Sequence, residues 1–392
     1  MRGRLRPSDL LVATVALDAG LDALLMHVLG HDLGGLALIL VAAALVVWFH
    51  HRPGRPPMYL LVALLFALPQ LVLILLRPAG APVDDALTAT NAAAQRLLLG
   101  RSPYGHDYLD VAQLRSYFNL GMEFAVNPIL AHFPYPPGAI LVVLPAVALH
   151  LDAVWMWPPA ALILALAADF AAGTPGLVAV SLSPLLLLDY LNLYNDLFFL
   201  SAALFGLGWL IRGRPLAAGL CLGAALTLKQ TAIVFLPLAL IWFPGWRRLL
   251  VGVVAVGVIL VLPFWVWNPG GFVADTASYF YSSGGAAFPI RGLGLAGLLL
   301  RLGVIQSRWA PFPAAEIQIP FLILLLVAAV RRRPAHPLSD YWLWTAVVAA
   351  ILFVFGRTLA PNYVTLIALL LALWVSCGLD RNGSPAIAEA GV

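Results

Sequence analysis

Residues 248–267 read RLLVGVVAVGVILVLPFWVW, an unbroken apolar run in which Arg248 is the sole charge. A helix needs about 20 such residues to cross the hydrocarbon core of a bilayer. The run shows no polar–apolar alternation, so it reads as a helix and not as a barrel strand. Working outward, comparable runs cover Ser8–Leu29, Leu33–Phe49, Met58–Leu76, Ala153–Ala172, Asp196–Ile211, Leu216–Leu228, Thr231–Phe243, Ala315–Val330, Tyr341–Phe355 and Pro361–Cys377. Shorter apolar pieces occupy Gly138–His150, Leu177–Leu191 and Gly292–Val304. Across 392 residues, 62% are apolar and only 10% charged, whereas a soluble domain carries about 25% charged residues. Lipid is therefore the expected solvent, and backbone groups in lipid must be satisfied within each span. The expected fold is an all-α polytopic membrane protein of about 12 transmembrane helices.

The net charge of +4 is small and its arginines are dispersed in short connections, which reads as topology and excludes a nucleic-acid footprint. Arg2/Arg4/Arg6, Arg52/Arg55, Arg212/Arg214, Arg247/Arg248 and Arg331/Arg332/Arg333 form the basic clusters. Placing all of them in the cytoplasm puts both termini inside. It puts the polar loop 77–137, Lys229, the loop 268–291 and the Arg357–Tyr363 turn outside. Parity then requires that one of the four apolar segments between Pro137 and Arg212 not cross, or that two be halves of one span; Gly292–Val304 must not cross either. Asp18 and Asp22 make the first run an uncleaved span rather than a signal peptide. Cys221 and Cys377 imply no disulfide framework. Asp18, Asp22 and Asp169 sit within apolar runs but form no relay pattern.

The outward loop opens with Asp84-Asp85 ahead of a helix expected over Ala86–Leu99. Either carboxylate suits an N-cap, and either could take a proton from a hydroxyl or hold a metal. Gly100 is a C′ residue and Pro103 a stop; Tyr104 and Tyr108 follow. Phe133-Pro-Tyr-Pro-Pro-Gly138 forces an extended entry into the next segment. Asn192-Leu-Tyr-Asn-Asp196 is a polar knot, read primarily as a helix cap, with substrate contact through Asn195 and Asp196 as the other reading. Lys229, the only lysine, lies between two apolar runs on the outer side, where a cation is a functional candidate with an anionic lipid phosphate as its natural partner. Arg291 and Arg357 share that side, and the three could converge on a phosphate. His106 and His132 lack metal-ligand spacing; a divalent ion on the two aspartates is possible but not favoured.

The order of these motifs resembles the GT-C superfamily of membrane glycosyltransferases, most closely glycosyltransferase family 87, whose members resemble polyprenyl-phosphate-mannose-dependent mannosyltransferases. The stretch carrying it runs from Asp84 to Pro237: an outward Asp, an amphipathic helix, Gly-x-x-Pro-Tyr at Gly100–Tyr104, Tyr-Pro-Pro at Tyr135–Pro137, the Asn-rich knot, and Lys229-Gln230 before Leu-Pro-Leu. A weaker match covers Arg357–Tyr363. The resemblance implies transfer of a sugar, mannose or another hexose or pentose, from a polyprenyl-phosphate donor to a lipid- or glycan-linked acceptor on the non-cytoplasmic face of a prokaryotic plasma membrane. It implies Asp84 or Asp85 as general base, without a metal cofactor. Lys229, Arg357 and Arg291 would hold the donor phosphate. Tyr104, His132, Tyr135, Asn195, Asp196, Gln230, Asn362 and Tyr363 would line the substrate. In the family the catalytic Asp follows the first span, so residues 1–57 read as an added hairpin, 58–378 as the transmembrane catalytic domain and 379–392 as a cytoplasmic tail. A transporter or flippase for a lipid-linked substrate, or a non-catalytic assembly subunit, are the competing readings.

Overall fold

The computed structural model describes residues 66–68, 70–76, 85–111, 114, 132–181, 183, 193–278, 288–332 and 337–379. The expected hairpin over 1–57, with Asp18 and Asp22, lies outside them, as do Asp84, Asn192, Arg333 and the tail beyond 379. The regular structure of the described chain is helical apart from a two-residue parallel pairing of Arg291 with Thr358 and Gly292 with Leu359. Its helices are α1 (Asp85–Leu98), α2 (Pro137–Ala148), α3 (Trp157–Ser181), α4 (Asp196–Ile211), α5 (Pro215–Leu228), α6 (Leu236–Trp242), α7 (Trp246–Trp267), α8 (Pro269–Val273), α9 (Leu295–Arg301), α10 (Ala314–Arg331), α11 (Pro337–Val354) and α12 (Pro361–Leu379). Three stretches, Ala153–Thr174, Trp246–Trp267 and Ala314–Arg331, are long and apolar enough to cross a membrane. Val251, Val254, Val258 and Ile259 on α7 and Ile319, Ile323 and Leu324 on α10 are exposed. Apolar faces of this extent suit hydrocarbon rather than water.

Small residues bring the helices together, as expected where lipid offers no hydrophobic drive between them. On α5 and α7, a side chain at Gly219 would run into the carbonyl of Leu249, and one at Gly252 would meet the Leu216 carbonyl at 2.7 Å. Gly223 lies against Val253, so α5 and α7 run side by side in the same direction. The segment expected as one apolar span over Thr231–Phe243 is a 3-10 turn, Gln230–Phe235, followed by α6. It doubles back, because Gly245 meets Pro215 at the start of α5. Arg212/Arg214 and Arg247/Arg248 therefore share one end of the bundle. Trp242 Nε1 donates to the Ala329 carbonyl, which brings the end of α10, with Arg331 and Arg332, to that end too. At the opposite end the Lys229–Asp196 ion pair and the Asn362–Asp196 hydrogen bond join α5, α4 and α12.

Contacts also show which apolar pieces keep to one end of the bundle. α2 starts with Gly138 against Thr227, and by Trp157 the chain is beside Tyr194, whose carbonyl accepts from the indole N–H. Both points lie at the Lys229 end, and a 12-residue helix rises only about 18 Å, short of the roughly 30 Å core. α3 then runs to the arginine end, where Arg212 Nη1 donates to the Phe170 carbonyl at 2.7 Å. It reverses at Gly173 (φ 62°, ψ −153°), a conformation that only glycine adopts freely; beyond the reversal Gly176 packs on the Ala168 carbonyl. α9, with seven residues, is likewise too short to cross, and Ile290 N–H donates to the Arg308 carbonyl where the chain returns.

Candidate functional site

The Lys229 end collects most of the singled-out residues. Lys229 follows the last residue of α5 in an extended conformation, and Asp196 occupies the first turn of α4. A cation at a helix C-terminus and an anion at an N-terminus each oppose the helix dipole. Their side chains meet at 2.7 Å, only 6% and 3% exposed. The second carboxylate oxygen of Asp196 accepts from Asn362 Nδ2 at 3.0 Å. The structure thus differs from two expectations. The partner of Lys229 is a carboxylate of the chain itself, with the ammonium 5.7 Å from the Phe199 ring centroid. The polar knot is not a side-chain cap: Asn195, at the N-cap position, makes no capping bond, and Asp196 spends both oxygens on other elements. Buried charges must be paired, and this outweighs capping. Tyr363, next to Asn362, stacks on Phe353 at 4.4 Å between centroids.

A second network ties the outward segments together. Gly100 (φ +67°) closes α1 as expected of a C′ residue, its N–H on the Leu97 carbonyl and that of Arg101 on the Arg96 carbonyl. The chain then turns inward: the Tyr104 ring is 1% exposed and its hydroxyl donates to the Tyr135 carbonyl at 2.9 Å. Burial raises the Tyr104 phenol well above its usual pKa, so it is a donor and not a base. Gln230 Nε2 donates to the Pro134 carbonyl at 2.6 Å, and Asn268 Nδ2 to the Tyr104 carbonyl at 2.9 Å. Replacing Asn268 with alanine leaves the Tyr104 carbonyl only the Ser102 hydroxyl as a side-chain donor and orphans the Gly271 N–H that bonds to Asn268 Oδ1. A loss of about 1–3 kcal/mol is expected, to be read from the thermal unfolding of the detergent-solubilised protein.

Asp275, absent from the sequence-derived set, is the centre of this network. Its carboxylate is wholly buried and accepts from Gly105 N–H at 2.8 Å, while its other oxygen lies 2.7 Å from His132 Nδ1. The hydrogen bond to Asp275 raises the pKa of His132 above its ordinary value, desolvation opposing it. The stabilisation is complete below the unfolded pKa of 6.5 and is lost as pH rises through the higher folded value. The available signal was a single carboxylate in an otherwise uncharged segment, Asn268–Ser278, whose Asn-Pro-Gly-Gly start is an N-cap signature.

Arg357 is 6% exposed and donates to the carbonyls of Phe288 and Ala310 at 3.0 and 2.9 Å; its Nη2 has no partner among the described residues. Exposed Arg291 pairs with the next residue, Thr358, through the two-residue ladder. Asp85 begins α1 one residue earlier than expected, is half-buried, and accepts only from Ala86 N–H among the described residues. Among those residues no three His, Cys, Asp or Glu side chains cluster as metal ligands. No protein-family model, curated protein or solved structure matches this chain.

Proposed function

We propose that the chain is a polytopic membrane glycosyltransferase of about 12 transmembrane helices, moving a sugar from a polyprenyl-phosphate donor to a lipid- or glycan-linked acceptor at the Lys229 end. The observation that carries the reading is the gathering of buried polar and ionisable groups at one end of the bundle, opposite exposed arginines of the short connections. Arg212, Arg214, Arg247, Arg248, Arg331 and Arg332 stand at one end. Lys229, Asp196, Asn362, Asp275, His132 and Arg357, from distant parts of the sequence, stand at the other. The positive-inside bias makes the second end non-cytoplasmic, and ionisable groups at membrane depth are functional by default. The leaving phosphate needs cations where its charge develops. Arg357, whose Nη2 has no partner among the described residues, and exposed Arg291 supply them; Lys229, committed to Asp196, fixes the frame. The acceptor hydroxyl needs a basic group, for which the resemblance designates Asp84 or Asp85.

A flippase for a lipid-linked substrate is the second reading, favoured by the break in the helical hairpin at buried Lys229. Arg357→Gln separates the two. In proteoliposomes supplied with labelled polyprenyl-phosphate sugar and acceptor, the transferase reading expects this variant to lose roughly 10²–10³-fold in kcat/KM for the donor. Movement of intact donor across the bilayer without product would establish the flippase.

A further inference from the structure

The basic group at the Lys229 end need not come from the Asp84–Asp85 pair. Asp85 holds its own helix start, whereas His132 and Asp275 are built as a pair. The Asp275 carboxylate is 0% exposed and the His132 side chain 35%, so the acid is sealed and the imidazole reaches solvent. Gly105 N–H fixes the second carboxylate oxygen. Gly105 is itself held at φ +71°, where a side chain would meet Asn268 Nδ2 at 2.7 Å; Asn268 also binds the neighbouring Tyr104 carbonyl. A carboxylate fixed on one imidazole nitrogen selects the tautomer with the proton there and leaves the other nitrogen as an acceptor. The charged groups acting on this imidazole among the described residues are Asp275 and, more weakly, Asp107, both acidic. Both keep its basicity up. A loop clasp needs neither a sealed acid nor a solvent-reaching base.

We propose that His132, oriented by Asp275, is the proton acceptor for the acceptor hydroxyl, with Asp275 as its positioning residue. The proposal rests on the transferase reading and gives His132 the role that the resemblance assigns to Asp84 or Asp85. In the step, the acceptor O–H loses its proton to His132 Nε2 as its oxygen bonds to the anomeric carbon. The bond from that carbon to the donor phosphate oxygen breaks, the phosphate keeps the electron pair, and the imidazolium passes its proton to water.

Two measurements test this. The first needs no turnover: modification of His132 by diethyl pyrocarbonate is followed against pH by mass spectrometry in the full-length protein in detergent. Its midpoint is expected to fall by about 1 pH unit or more in Asp275→Asn, because an adjacent opposite charge shifts a pKa by 1–3 units. An unreactive His132, or an unmoved midpoint, overturns the pair. The second is the pH–rate profile of sugar transfer. His132→Gln is expected to lower kcat by roughly 10²–10⁴-fold and abolish the acidic limb, Asp275→Asn to shift that limb to lower pH, and Asp85→Asn to leave it in place. A His132→Gln enzyme with the wild-type rate and limb, or an Asp85→Asn enzyme that loses the limb, overturns the assignment with the transferase reading intact. A wild-type protein that modifies as expected but transfers no sugar overturns the transferase reading and, with it, the proton-acceptor role, leaving only the paired geometry.

Discussion

Lys229→Met is expected to destabilise the protein by about 3–5 kcal/mol, because it leaves the Asp196 carboxylate charged and buried without its cation. The geometry makes this one of the largest single effects in the chain. The pair is 2.7 Å long, both side chains are almost sealed from solvent, and Asn362 provides the other oxygen with only one neutral hydrogen bond. Asp196→Leu alone leaves the ammonium uncompensated and should cost a similar amount. Combining Lys229→Met with Asp196→Leu removes both charges, and the double variant should recover most of the loss, since a buried ion pair and an apolar pair of similar volume are often near parity. Thermal unfolding of the four proteins in one detergent gives the coupling energy directly. Additive single effects would mean that Lys229 and Asp196 do not depend on each other.

The second large effect is expected at the crossing of α5 and α7. Gly219→Leu should cost about 3 kcal/mol, near the upper end of overpacking penalties, because the obstacle is the Leu249 carbonyl and not a side chain that could rotate away. Even Gly219→Ala should be clearly destabilising. Gly257, farther along α7, has nothing within 4 Å of the position a side chain would take; Gly257→Ala should be neutral or mildly stabilising, as alanine favours helix over glycine. Tryptophan fluorescence during heating compares the three. Equal behaviour at Gly219 and Gly257 would contradict the close packing of the two helices.

Much of this arrangement was legible in the sequence. Apolar run length located α7 and α10, and Gly100 marked the end of α1; charge parity asked that one segment between Pro137 and Arg212 not cross or that two be halves of one span, and α2 keeps to the Lys229 end. Parity alone could not choose which. The choice depends on where Gly138 and Trp157 rest, on Thr227 and Tyr194, and such contacts leave no periodic trace. The reversal at Gly173 was hidden for a related reason: a helix that folds back on itself and a single span have the same hydropathy. At the site, Lys229 stood out because a lone cation between apolar runs is rare. Its partner did not, because Asp196 also fits a helix start, and only tertiary contact decides between dipole, cap and ion pair. Asp275 gives no comparable signal, since one carboxylate in a loop has no spacing signature; its importance comes from its complete burial.

The central claim, that the Lys229 end transfers a sugar, is tested most directly by reconstituting the purified wild-type chain into liposomes with labelled polyprenyl-phosphate sugar and a lipid-linked acceptor. The account predicts labelled acceptor and free polyprenyl phosphate appearing in equal amounts, from donor supplied on the side of Lys229 and not from the side of Arg212. Donor that stays intact, whether it remains on one face or appears on the other, would contradict it.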